Sequence, residues 1–444
     1  MPGTADRAPL VHPGGSAILL GAAATSYLGD EIAGVALAIA VHDGSRSGFA
    51  VAAVVVATLL PLVLLSPLTG WLVDRVETTR LLSMLALAQT VVVVALTQVT
   101  SLAGRLALIF LLSTGTAATA TGILALAPTA AGKPRAKELL GYLSVASRGS
   151  AALGPVLGGL LVKLAGVRGA LLVDAATFVV FVVGFQLLGF RRPPSAAEPA
   201  PAAAAEPHPA LRGMVALWRD PVLRGVVAVL ATAILFIGIS YVATVFFAKD
   251  VLKAGNLGFG LLMAAYGAGM TAGCYAIRWI GARRLAPVAL TVPAVAGAGF
   301  LLAAGVPVLA VAFAGYAVAG VATGLGLTAM RAIVVDRVPD ALLGRVFAAE
   351  AAIGTTGELL ALLLGGGLVT WVGGRAALTV AGVGALGASA LAVPFAPGLR
   401  HAAPAPVPVP PPARPEESIL EQPLTTIDLR SPHEVDLAAR APSE

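Results

Sequence analysis

Apolar residues run along this chain in long blocks, and charges fall mostly between the blocks. A helix rises about 1.5 Å per residue, so about 20 apolar residues carry it across the hydrocarbon core of a bilayer. Blocks of that length lie near residues 16–41, 49–73, 81–102, 106–130, 139–163 and 169–190. A second set lies near residues 223–248, 257–280, 285–305, 307–330, 344–371 and 376–396. The pattern predicts an all-α membrane protein with twelve transmembrane helices. Only the short turn Gly305–Pro307 divides the ninth span from the tenth.

Composition agrees. Charged residues make up 12% and hydrophobic residues 58% of the 444, with a mean hydropathy of +0.90. A soluble domain carries about 25% charged residues, so this chain lacks the polar surface to enclose its own core, and the excess must face lipid. The single cysteine, Cys274, rules out an internal disulfide. The five histidines are scattered, and neither a metal site nor a cofactor motif is expected. The segment Met1–Gly15 does not read as a cleavable signal.

The placement of Lys and Arg tests the count. Loops after even-numbered spans hold sixteen of them and loops after odd-numbered spans hold seven. By the positive-inside rule the even loops and both termini are cytoplasmic, in a bacterial inner membrane. This accounts for the net charge of +6 without nucleic acid. Residues 191–222 read as a cytoplasmic linker and 397–444, Pro-rich and then acidic, as a disordered cytoplasmic tail behind the N-terminal segment 1–15 and two bundles, 16–190 and 223–396.

The bundles echo each other. Trp71 and Arg75 recur as Trp279 and Arg283, Gly48-Phe49 as Gly258-Phe259, Leu139-Leu140-Gly141 as Leu342-Leu343-Gly344, and Gly166-Val-Arg168 as Gly373-Gly-Arg375. Ordered matches of this kind predict two six-helix parallel repeats with a ligand site at their interface near the midplane.

Two segments are the most informative. Between spans 2 and 3, Gly70 permits close helix approach, Asp74 can pair with a helix end, and Arg75 and Arg80 hold the turn in the cytoplasm. In span 5, Pro155 among Gly154, Gly158 and Gly159 frees a backbone carbonyl, bends the axis and lets another helix pack closely. The first segment resembles the loop signature of the major facilitator superfamily, with Arg80 alone of the usual later basic positions. The second resembles the Gly-Pro-x-x-Gly-Gly signature of that superfamily's antiporters, with Ser150 in place of the leading glycine.

The resemblance covers residues 16–396 and extends to the drug and siderophore exporter branch, enterobactin-exporter-like and macrolide-efflux-like. Leu28-Gly29-Asp30, Val173-Asp174-Ala175 and Val338-Pro339-Asp340 with Gly344-Arg345-Val346 are features of that branch. It implies secondary active export of a small molecule by alternating access, as an antiporter. Relatives often carry an arginine in span 4, whereas Leu111–Gly122 has none. That departure leaves open a facilitator or lipid exporter of the same fold that is not proton-coupled.

A charge at the bilayer centre costs about 2.5–3.5 kcal/mol on insertion scales, so each one calls for a partner or a purpose. Asp30 and Glu31 lie mid-span 1 and point about 100° apart, so one of them is expected to face the cavity, and the family position favours Asp30. Arg148, inside span 5, is expected to neutralise one of them. Glu358 lies mid-span 11, and Glu350, nearer the cytoplasm, can face the Asp74 turn. Proton coupling is thus expected at Asp30, Glu31, Arg148 and Glu358. Gating is expected at Gly70, Asp74, Arg75, Arg80, Gly154, Pro155, Gly158, Gly159 and Glu350. Tyr27, Tyr241 and Tyr316 can offer ring faces to a cationic or amphipathic substrate. The expected partners are protons, a small-molecule substrate and lipid, with the protein a monomer. A scaffold or sensor acting through the tail is the reading from a different class. No nucleophile–base pair or phosphate loop supports an enzyme.

Overall fold

The computed structural model describes residues 15–132, 135–188, 218 and 220–391, without the side chains of a few of them, Asp74 included. The N-terminal segment, nearly all of the linker and the tail lie outside the described residues. The chain divides into one unit of Met1–Ala402 and another, Ala403–Glu444, which is wholly outside them. Among the described residues every regular element is helical, as backbone in hydrocarbon requires when no barrel closes.

The first half contains α1 (Gly15–Ser45), α2 (Gly48–Leu64), α3 (Ser66–Arg75), α4 (Thr78–Leu96), α5 (Leu102–Ala131) and α6 (Ala136–Leu188). The second half contains α7 (Pro221–Phe246), a π turn (Phe247–Val251), α8 (Gly255–Ala276), α9 (Leu285–Gly305), α10 (Leu309–Arg337) and α11 (Asp340–Ala390). Nine helices among the described residues are long and apolar enough to cross a membrane. Two of them are double. In α6 the chain leaves helical geometry at Gly166 (φ 71°, ψ 178°), and in α11 at Gly373 (φ 79°, ψ 169°), a backbone region that glycine enters at little cost. Each of these helices is two spans joined at a glycine corner. The second span is split into α2 and α3 at Leu65, because Pro67, in the first turn of α3, has no N–H for the preceding turn. The elements are thus consistent with the twelve expected spans.

The internal repeat has a fixed register. Gly373 lies 207 residues after Gly166, and its φ and ψ are within about 10° of those of Gly166. Arg168 Nε donates to the Thr97 carbonyl at 3.1 Å, and Arg375 Nε, again 207 on, donates to the Ala304 carbonyl at 2.8 Å. Arg46 and Lys253, related by the same step, are the two described non-glycine residues with positive φ (50° and 55°). Gly158 packs against Ile32 and Val35 while Gly365 packs against Ile239 and Val242. The tryptophan echo differs. Arg75 lies 4.7 Å over the Trp71 ring, one helical turn away, whereas Trp279 is covered by its neighbour Arg278 at 4.4 Å.

The halves meet along two helix pairs, α6 with α8 and α2 with α11. Small residues make both possible: a Cβ on Gly260 would stand 2.2 Å from the Pro155 carbonyl oxygen, and one on Gly48 would stand 2.4 Å from that of Gly366. Their packed side chains belong to one continuous apolar core. Outward-facing leucines, valines and Trp371 stay exposed, as a lipid-facing surface requires.

Candidate functional site

At one end of the molecule the halves are tied by charge. His42 and Asp43 close α1; Lys249 and Asp250 occupy the π turn 207 residues on. The pairs cross. His42 Nε2 lies 3.2 Å from Asp250, and Lys249 pairs with Asp43, which also lies 2.9 Å from His42 Nδ1. The His42 ring is buried edge-on against Phe246, at 4.7 Å between centroids. Carboxylates only accept hydrogen bonds, so His42 holds both acids at once only as an imidazolium. A basic residue followed by Asp in each half was a legible signal, but the spacing of a single dipeptide says nothing of the crossed pairing.

Away from this clasp, a cavity of about 340 Å³ opens among α7, α8, α9, α10 and α11. Tyr241 and Tyr266 meet edge-to-face on its wall, 6.3 Å between centroids, and the Tyr266 hydroxyl donates to Thr323 Oγ1 at 3.2 Å. Glu358 lies on the same wall. Towards the ends of α10 and the first leg of α11, Arg331 and Glu350 approach to 3.9 Å. Most of the remaining lining is aliphatic. Such a cavity offers ring faces, one uncrossed carboxyl and apolar walls, which suits an amphipathic molecule with a positive or hydrogen-bonding end.

The acids of α1 turn the other way from expectation. Glu31 packs its Cβ where a side chain on Gly154 would stand, 2.3 Å off, and it lies with Glu358 within electrostatic reach of Tyr241. Asp30 instead lies within electrostatic reach of Asp174 on the second leg of α6. Helix rotation decides this: Gly29, next to Asp30 in the chain, lies against the turn Asp174–Thr177, and its missing Cβ lets that turn come against the α1 backbone. Tyr27 also faces Asp30 and does not line the cavity.

Other expected residues find different partners. Arg148 reaches across the halves to the Cys274 sulfur at 3.6 Å, not to an acid of α1. Glu350 meets Arg331; the Asp74 side chain and the surroundings of Gly70 lie outside the described residues. Tyr316 is 1% exposed, and it shares a 2.9 Å hydrogen bond with Thr244 and packs against Phe300, so it stands behind the cavity wall. Arg80 is exposed beside the turn after α3. Gly154, Pro155, Gly158 and Gly159 lie at the α6 contacts with α1 and α8. Tyr266, Thr323 and Arg331 were not singled out by the sequence, because one tyrosine among apolar residues has no periodic signature. In span 4 the polar positions are met by Gln89 of α4, which donates to Thr116 Oγ1 at 3.0 Å and accepts from Thr119 at 3.4 Å.

Residues 19–316 match the family model described as Major Facilitator Superfamily. No curated protein sequence matches the chain. Among solved structures, a bacterial homolog of the human lysosomal transporter Spinster, inward-facing and occupied, has a TM-score of 0.69 at 13% identity, covering 89% of this chain and 100% of that one. A POT family transporter in complex with a thioalcohol-conjugated peptide has a TM-score of 0.67 at 11% identity, covering 87% and 97%. A bacterial homologue of the iron transporter ferroportin in an inward-facing state has a TM-score of 0.63 at 13% identity, covering 86% and 98%. At these identities the likeness is one of fold.

Proposed function

The chain belongs to the Major Facilitator Superfamily, a multi-pass membrane transporter and not an enzyme, and on that premise we propose that it exports a small amphipathic molecule, such as a drug-like compound, siderophore or secondary metabolite, in exchange for protons. The cavity is the observation that carries this reading. It is walled by one half, tyrosine-faced and bears a carboxyl, and the crossed ion pairs tie the halves together at the far end. In alternating access the halves rock about such a site, so an end that is clasped in one state must release in the other. With even-numbered loops in the cytoplasm, the clasp is external and the cavity opens inward, the state in which an exporter loads. Export is supported by the Gly154–Gly159 segment, and proton exchange by the acids at Asp30, Glu31 and Glu358, which lie inside the bundle.

The test uses purified protein in proteoliposomes, with an imposed pH gradient and a lipophilic cationic dye as probe. Dye movement should follow the gradient and stop with a protonophore. Gradient-independent movement in the wild type, or unchanged gradient-driven movement in the double variant Asp30→Asn with Glu31→Gln, removes the proton-exchange claim. A specific observation favours a second reading, a facilitator or lipid exporter without proton coupling. Span 4, near residues 106–130, carries no basic residue, and Arg148 bonds to Cys274 and not to the acids of α1. Protonophore-insensitive transport would select it.

A further inference from the structure

The repeat supplies an internal control for the acid on α6. Positions 207 residues after Asp30 and Asp174 are Ile237 and Ala381, both buried and apolar. The contact beside them is conserved in shape with its partners exchanged. In the first half Gly29 accepts the Asp174–Thr177 turn; in the second Phe236 fills the space over Gly384, where a Cβ would stand 2.0 Å from its ring. At the equivalent positions the seventh span therefore packs against the twelfth with apolar side chains alone. Packing does not call for two carboxyls there.

The two acids are also poorly served by their surroundings. Asp174 is wholly buried, and its Oδ2 has no hydrogen-bond partner. Thr177 gives its hydroxyl to the Asp174 carbonyl at 2.7 Å and stands 3.5 Å from Oδ1. The titratable groups within electrostatic reach of Asp30 are Asp174 from α6 and Glu31 and Tyr27 from α1. Among the described residues neither Asp30 nor Asp174 makes an ion pair with Lys, Arg or His. Two ionised carboxylates facing each other in an apolar site, without a cation, repel and lose hydration together. A single bound positive charge resolves both problems, and a buried oxygen without a donor is where it would sit.

We infer that Asp30 and Asp174 form a two-carboxyl pocket between the first and sixth spans that binds one proton, set apart from the cavity of the second half. The inference deepens the proton-exchange reading by placing the proton in the half that does not wall the cargo site. Release occurs when rocking of the halves lets water reach Asp30, which is half-buried where Asp174 is sealed. Asp174 thus holds the proton, and Asp30 is its route in and out.

Infrared difference titration of the full chain in lipid nanodiscs tests this without any cargo. The wild type should show a carboxylic C=O stretch that shifts in D2O and titrates as one proton. Asp174→Asn and Asp30→Asn should each weaken proton binding at the remaining acid about tenfold or more, because the like charge opposite is gone. Glu31→Gln should leave the band in place. If Asp174→Asn does not fold, Asp30→Asn decides alone, since it alters the same band from the solvent side. A wild-type band unchanged in both variants, or one carried by Glu31, overturns the inference. Loss of the band at fixed pH when sodium replaces choline also overturns it, since the pocket would then be a metal-cation site. Failure here with transport still gradient-driven sinks only the pocket. A titrating pair with gradient-independent transport sinks only the exchange reading.

Discussion

Tyr316 and Tyr266 differ by little in sequence context, yet only the second reaches the cavity. Tyr316 has its ring against Phe300 and its hydroxyl on Thr244, whose own hydroxyl also bonds the Ser240 carbonyl. Removing the phenol oxygen leaves no orphaned partner. Inter-helix hydrogen bonds in bilayers average about 0.6 kcal/mol. Tyr316→Phe is therefore expected to destabilise by about that amount in detergent unfolding and to leave dye transport unchanged. Glu358 is the opposite case, a carboxyl on the cavity wall. Glu358→Gln keeps the shape and removes the charge. Loss of a charge-assisted contact of about 1.5 kcal/mol predicts a roughly tenfold rise in the half-saturating concentration of a cationic dye, with little change for a neutral one. Equal effects on both dyes would contradict a role in charge recognition.

Between helices, glycine contacts and ion pairs play different parts. Gly260 against Pro155 holds α8 on α6 at a distance set by backbone atoms, whereas the crossed pairs at His42–Asp250 and Lys249–Asp43 can open without disturbing packing. Asp43 and Asp250 are about half exposed, so each pair is worth no more than about 1 kcal/mol after solvent screening. That is enough to bias two states of similar energy. The double variant Asp43→Asn with Asp250→Asn removes at most about 2 kcal/mol and is expected to move the population by up to about 30-fold towards the state open at this end. Spin labels at Arg46 and Lys253, which flank the clasp, should report a longer distance by pulsed electron resonance. An unchanged distribution would mean that the clasp only decorates a contact held by α2 and α11.

Taken as a whole molecule, the structure places cavity, clasp and buried acids all within residues 15–391. Deleting residues 397–444 is accordingly expected to leave gradient-driven dye transport intact in proteoliposomes, and loss of transport would instead favour action through the tail. The 207-residue repeat makes the buried acids easier to see, because they are where the halves disagree. Asp30, Asp174 and Glu358 correspond to Ile237, Ala381 and Ala151. A repeated scaffold keeps its packing, and departures from it need another explanation.

The amino-acid sequence determined the number and placement of the apolar blocks, and it showed Gly166 and Gly373 as an echo between the halves, which the structure makes the corners where the chain turns. These features are local: a helix in lipid satisfies its own backbone hydrogen bonds, so hydropathy along about twenty residues suffices to mark it. Rotation about each helix axis is not local. A helix that is apolar on all sides has no stripe to show which face will be covered, and one residue turns a side chain by about 100°. Tertiary packing therefore decided that Glu31 sits over Gly154 while Asp30 lies within electrostatic reach of Asp174, that Tyr266 replaces Tyr316 at the cavity, and that Arg148 meets Cys274. It also brought His42 to Asp250 across 208 residues of chain, a pairing that exists only once the halves have closed on each other.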